Sequence, residues 1–209
     1  MAGSEPLLGG RVTMLAYYLL GVVLGAGSSV VPGPCGLAVI DAATRLGSRR
    51  AIATAIGSGL GDLTYAALGV FGIGQVLARD RELVAIMLAA SGVVLIGYGL
   101  ACLRGRPVAS EAEARSLGGI VVGFATLVCN PGALLMWSSI GIQIATATRA
   151  EHVCAVFGIG SGSAAWFVAM AVLSARCNRV LGERMHRVVQ VIGCLIVAYG
   201  AVSLARAVL

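Results

Sequence analysis

Charge is scarce in this chain: charged side chains make up 11% of its 209 residues, against 58% apolar ones, and the mean hydropathy is +0.95. No polar block is long enough to fold outside a bilayer, which excludes an ordinary soluble domain. So high an apolar content also excludes a disordered chain. Lysine is absent, and the 15 basic residues, all arginine, stand against 9 acids for a formal net charge of +6. In a soluble protein a pI near 9.3 would suggest nucleic acid. These arginines lie in short gaps between apolar runs, where lipid headgroups and topology account for them, and no nucleic-acid partner is expected. The 6 cysteines, Cys35, Cys102, Cys129, Cys154, Cys177 and Cys194, include no C-x-x-C pair, so neither a metal site nor a disulfide framework is expected. G-x-S-x-G, H-E-x-x-H and phosphate-loop motifs are missing as well; no catalytic residue and no cofactor is expected, and the chain does not read as an enzyme.

What remains is an all-α integral membrane protein, a single transmembrane domain over 1–209. Apolar runs fall at about 12–43, 51–74, 84–103, 117–148, 153–175 and 188–208, and a span takes about 20 residues. The start, from Val12 to Val31, is too long for a signal-peptide core and is expected to stay in the mature protein. The first and fourth runs exceed one span, and each carries proline at its middle: Pro32-Gly33-Pro34 and Asn130-Pro131-Gly132. Proline removes a backbone donor and clashes with the preceding turn, so both runs read as broken helices. Loops after the first, third and fifth runs hold ten of the arginines. The positive-inside rule puts those loops in the cytoplasm and both termini on the outer side.

Two halves of the sequence echo each other. Gly57-Ser58-Gly59-Leu60-Gly61 precedes Tyr65, and Gly158-Ile159-Gly160-Ser161-Gly162 precedes Trp166, 101 residues on. Gly92, Tyr98, Gly99 and Leu103 recur as Gly193, Tyr199, Gly200 and Leu204 at the same interval. In the first and fourth runs Gly21 and Gly25 answer Gly119 and Gly123 more loosely. A unit of three spans is odd, so its second copy enters the membrane from the opposite side. The expectation is an inverted repeat, about 12–104 and about 117–206, of the kind secondary transporters use for alternating access.

Asp62 stands mid-run, about 15 Å from either face of a hydrocarbon core about 30 Å thick. An ionised carboxylate there is costly and ordinarily marks an ion or substrate path; a protonated structural Asp bonded to a neighbouring helix is the competing reading. Asp41 lies about a turn from Arg45 and reads as its interfacial partner. Gly57 and Gly61, like Gly158 and Gly162, form small-x-x-x-small faces suited to close helix packing. At the breaks, Pro32 and Pro34 cannot donate to the carbonyls of Ser28 and Val30, nor Pro131 to that of Leu127. Freed acceptors suit an ammonium or a proton carrier, and the half-helices after Pro34 and Pro131 suit a carboxylate. A plain kink repaired by side chains or water is the alternative. His152 and His186 lie in charged gaps and read as solvated, and Tyr17 and Tyr18 as interfacial anchors.

Val31-Pro32-Gly33-Pro34, Gly47 before an arginine pair, Gly57-x3-Gly61-Asp62 with Tyr65, Gly69-x2-Gly72 and Asn130-Pro131 are the features of a family. From about Tyr17 to Arg206 the chain resembles the lysine-exporter and homoserine/threonine-exporter family of bacterial amino-acid efflux proteins. The resemblance implies a dimeric, multi-pass exporter of the bacterial inner membrane, embedded in lipid, that moves small amino acids or derivatives in exchange for protons. Members often carry a polar residue after Pro-Gly-Pro and a lysine after the later Asn-Pro, where this chain has Cys35 and Gly132. Two other readings stand beside it. Cys35 and Cys129 flank the two breaks, which resembles membrane thiol-disulfide electron carriers, although small buried cysteines explain them too. A non-transporting scaffold would leave Asp62 without a role.

Overall fold

The computed structural model describes residues 5–30, 33–72, 80–104, 118–144, 146–181 and 184–208. Every regular element among them is an α-helix: α1 Glu5–Ser29, α2 Pro34–Arg45, α3 Ser48–Val70, α4 Arg81–Leu103, α5 Gly118–Val128, α6 Pro131–Gln143, α7 Arg149–Leu181 and α8 Arg184–Val208. Pro32 lies outside the described residues.

Local chemistry sets the helix ends. Pro34 and Pro131 each open a helix, where a missing N–H costs nothing and a fixed φ is already helical. Thus the first long run divides into α1 and α2, and the fourth into α5 and α6, with a bend of 72° at the second break. Gly47, at φ +91°, turns the chain from α2 into α3 in a conformation that side chains rarely adopt. Asp80 caps α4, its Oδ1 accepting the N–H groups of Glu82 at 3.0 Å and Leu83 at 3.2 Å. Thr148 and Glu151 form a reciprocal capping box at the start of α7: Glu151 Oε2 accepts the Thr148 N–H at 2.7 Å, and Thr148 Oγ1 accepts the Glu151 N–H at 3.4 Å.

At 33 residues, α7 is about 50 Å long and forms the central post. It packs against α1 on one side and α3 on the other; α3 packs in turn on α5, α6 and α2. Helices α4 and α8 pair with each other, and α4 also touches α6. Val12–Ser29 and Arg149–Asn178 are each long and apolar enough to cross a membrane, and the bent pair Gly118–Val128 with Gly132–Gln143 supplies a third candidate span. Large apolar side chains face outward on α1 (Val12, Leu15, Val23), α4 (Ile86, Val93) and α8 (Val191, Leu195). Such a surface suits lipid rather than water.

Glycines allow the helices to touch backbone to backbone. A methyl built on Gly59 would stand 2.5 Å from the Ala164 Cβ, and one on Gly160 2.6 Å from the Leu63 Cβ. On the α4–α8 pair, a methyl on Gly92 would lie 2.8 Å from the Gly200 oxygen and one on Gly99 2.7 Å from the Gly193 oxygen. In both pairs the second contact follows from the first by moving each residue one repeat interval and exchanging the helices. Gly57 and Gly61 face α5, against Ile120 and Leu127, while Gly158 and Gly162 face α1, against Tyr18 and Val22. Residues between them, Gly59 and Gly160, therefore make the direct contact of α3 with α7.

Candidate functional site

Asp62 lies at 4% exposure on the face of α3 that meets α6 and α7. The indole of Trp137, fully buried in α6, donates through Nε1 to Asp62 Oδ1 at 3.0 Å. Ser163, fully buried in α7, donates through Oγ to Asp62 Oδ2. Donor and acceptor there are 101 residues apart, the interval between the two glycine motifs. Beyond Ser163 comes Ser29, the last residue of α1: the two hydroxyl oxygens are 2.7 Å apart, and Ser29 Oγ donates to the Gly25 carbonyl at 2.9 Å. Ser163 Oγ is also 3.3 Å from that carbonyl. One carboxylate thus joins α3, α6, α7 and α1. Among the described residues its bonded partners, Trp137 and Ser163, are both uncharged, an arrangement in which ionisation of a buried carboxylate is costly.

The other expected site residues distribute around this centre. Cys35 is buried in the first turn of α2. Ser58, fully buried on α3, donates to the Gly123 carbonyl of α5 at 3.4 Å. Pro34 is buried, Gly33 half-buried and Val30 half exposed at 50%. Ser28 turns its hydroxyl back to the Gly25 carbonyl at 3.0 Å. At the second break, Asn130 and Gly132 are half-buried on either side of Pro131.

Three expectations need correction. The Leu127 carbonyl is not a free acceptor: the chain tightens after α5, and the Asn130 N–H bonds to it at 2.8 Å. Tyr65 Oη donates to the neighbouring Val128 carbonyl at 2.8 Å, so this break is closed by protein groups. Cys129, just past the last turn of α5, is exposed rather than buried. His152, expected in solvent, is half-buried; its Nε2 is 2.9 Å from the Ile144 carbonyl and its ring meets Phe71 edge to face with centroids 6.1 Å apart. It pins the end of α6 to the start of α7.

Trp137, Ser163 and Ser29 were not singled out by sequence. A signal existed for Ser163, which stands one repeat interval after Asp62; none existed for Trp137, an indole in an apolar run whose partner is 75 residues away. Trp166, one interval after Tyr65, has a buried indole N–H without a hydrogen-bond partner among the described residues.

The family model for LysE type translocators matches residues 27–207, a range that includes both breaks and the Asp62 cluster. The chain belongs to the LysE type translocator family. This family is one of membrane transporters, in keeping with the apolar helices. Among its members the chain is similar to the chemotactic transduction protein ChpE of Pseudomonas aeruginosa, at 26% identity over 201 residues, which cover 92% of this chain and 98% of that one. No solved structure matches it. The LysE membership puts the buried carboxylate in a family of membrane transporters.

Proposed function

We propose that the protein is a secondary transporter that exports small amino acids or derivatives across the bacterial inner membrane in exchange for protons, as a homodimer, with Asp62 as the coupling carboxylate. The observation that carries this reading is Asp62 itself: a buried carboxylate bonded by groups of two other helices and linked through Ser163 to Ser29 at the end of α1. In this reading α1 with α2, α3 and α4 form one half, and α5 with α6, α7 and α8 the other, so that six spans make two inverted three-helix repeats. The exchanged contacts Gly59–Ala164 and Leu63–Gly160, and Gly92–Gly200 and Gly99–Gly193, support such a two-fold relation, as does the meeting of Asp62 with Ser163 one interval on. The substrate pathway runs past Ser28, Val30, Pro32, Gly33, Pro34 and Cys35 on one side and Leu127, Asn130, Pro131 and Gly132 on the other. A thiol carrier is disfavoured, since Cys35 is buried, Cys129 exposed and both free; a scaffold gives the Asp62 cluster no use.

Inverted membrane vesicles, offered labelled amino acids from each common side-chain class with and without an imposed proton gradient, test the proposal. At least one class is expected to accumulate, and only with the gradient. Accumulation of none, by protein shown to be folded and inserted, overturns it. The orientation, with both termini periplasmic, has its own test in a chain whose native cysteines are replaced. Single cysteines at Ser48, Ser110 and Gly182 are expected to resist an impermeant thiol reagent added to intact cells; labelling of all three reverses the topology.

A further inference from the structure

A proton that couples transport has to reach Asp62, and the carboxylate is sealed on one side. Its Oδ1 is covered by the fully buried indole of Trp137, and an indole N–H only donates, so it passes no proton onward. The Oδ2 side is different. From it a chain of hydroxyls runs through Ser163 to Ser29 and ends on the Gly25 carbonyl. Ser29 is the last residue of α1 and only 6% exposed, while the next residue, Val30, is 50% exposed. A methyl built on Gly33, across the break, would meet nothing within 4 Å. The chain therefore leads from a buried carboxylate to the end of α1, where exposure begins at Val30.

We propose that Ser163 and Ser29 form a two-hydroxyl relay that carries the coupling proton between Asp62 and the first break. The inference rests on Asp62 being the coupling carboxylate, as proposed above. A hydroxyl donates one hydrogen and accepts others, so the same oxygen positions serve both charge states. With Asp62 ionised, Ser29 donates to Ser163 and Ser163 to Oδ2. With Asp62 protonated, the carboxyl donates to Ser163, Ser163 to Ser29, and Ser29 to the Gly25 carbonyl. During transfer a hydronium ion at the break gives its proton to Ser29 Oγ and leaves as water. Ser29's own proton passes to Ser163 Oγ, and Ser163's proton passes to Asp62 Oδ2. Rotation of the two hydroxyls about their Cβ–Oγ bonds resets the chain for the next proton, and no group is oxidised or reduced. Beside Asp62 the other titratable groups among the described residues are the Cys35 thiol on α2 and, one turn along α3, the Tyr65 phenol, which is engaged with Val128. Neither lies in the hydroxyl chain.

Trp137 supplies a readout that needs no substrate. Its N–H contacts the carboxylate directly, so its emission reports Asp62 protonation. With Trp166→Phe, which removes the other of the 2 tryptophans, the full-length protein in liposomes is subjected to a rapid pH jump. Emission is expected to follow in a fast phase that Asp62→Asn abolishes. Ser163→Ala and Ser29→Ala are expected to slow that phase at least about tenfold, within the range a positioned proton-transfer group supplies. Ser29→Ala, which does not touch the carboxylate, leaves the final amplitude and its midpoint pH in place, whereas Ser163→Ala, which removes a donor to Oδ2, also moves the midpoint. Ser29→Thr, which keeps the hydroxyl, is expected to restore the rate. A purely structural serine at position 29 would move the midpoint or the fold rather than the rate alone. Should Ser163→Ala fail to fold, Ser29→Ala and Ser29→Thr decide alone. An unchanged rate in the alanine variants, with the signal still lost in Asp62→Asn, overturns the relay and leaves the coupling carboxylate standing. Survival of the signal in Asp62→Asn removes the ground for both.

Discussion

Asp62→Asn is expected to abolish uphill, gradient-driven transport while leaving passive exchange of labelled for unlabelled substrate. Asparagine keeps the size of the side chain. Its carbonyl oxygen accepts from Trp137 as Oδ1 does, and its NH2 group faces Ser163, where a protonated carboxyl would present its O–H. The variant is thus a fixed copy of the protonated state. A carrier locked in one charge state still equilibrates substrate between its two faces, but no proton is exchanged per cycle, and the gradient no longer biases which face is open. In inverted vesicles the accumulation ratio should fall to that of the gradient-free control. A variant that still concentrates substrate, with its pH dependence unchanged, makes Asp62 structural. The next candidate is then Asp41, which lies at the far end of α2 in an ion pair of 2.7 Å with Arg45.

How Asp62 came to be visible in sequence, and Ser163 and Trp137 did not, has a physical basis. A carboxylate in an apolar run violates the solvent preference of its surroundings, and that violation is local, readable within one span. Serine in a membrane helix violates nothing, since its hydroxyl ordinarily bonds back to its own helix; Ser138 and Ser139 do so, to the carbonyls of Leu134 and Leu135. What distinguishes Ser163 is a partner on another helix, and only the repeat interval hinted at it. Prolines located both breaks because their effect on the backbone is local too. The fate of the carbonyls they release is not: Asn130 and Tyr65 take the acceptors at the second break, and Tyr65 comes from a different helix. His152 was misplaced for the same reason, its charged neighbours in sequence being outweighed by Ile144 and Phe71 in space.

Gly57→Ala and Gly123→Ala are expected to destabilise the protein strongly, and by less together than the sum of the two. Both residues lie where α3 and α5 touch. A methyl on Gly57 would overlap the Ile120 carbonyl oxygen, and one on Gly123 that of Thr54. These obstacles are backbone, so no side-chain rotation relieves them, and the helices have to part. Overpacking of this kind costs about 1–3 kcal/mol, out of a total stability of about 5–15 kcal/mol. Once the helices have moved apart for one methyl, the second enters space already opened, which makes the pair sub-additive. Gly27→Ala and Gly97→Ala supply the control: a methyl at either position meets nothing within 4 Å, and alanine is the better helix former by about 1 kcal/mol. Thermal loss of monodisperse protein in detergent should come markedly earlier for the first two variants and at wild-type temperature or above for the controls. If Gly57→Ala melts with the wild type, α3 and α5 are not in backbone contact. Asp62 shares α3 with Gly57, so parting these helices also shifts the carboxylate relative to the second break, and a folded remnant of Gly57→Ala should transport more slowly than its amount in the membrane accounts for.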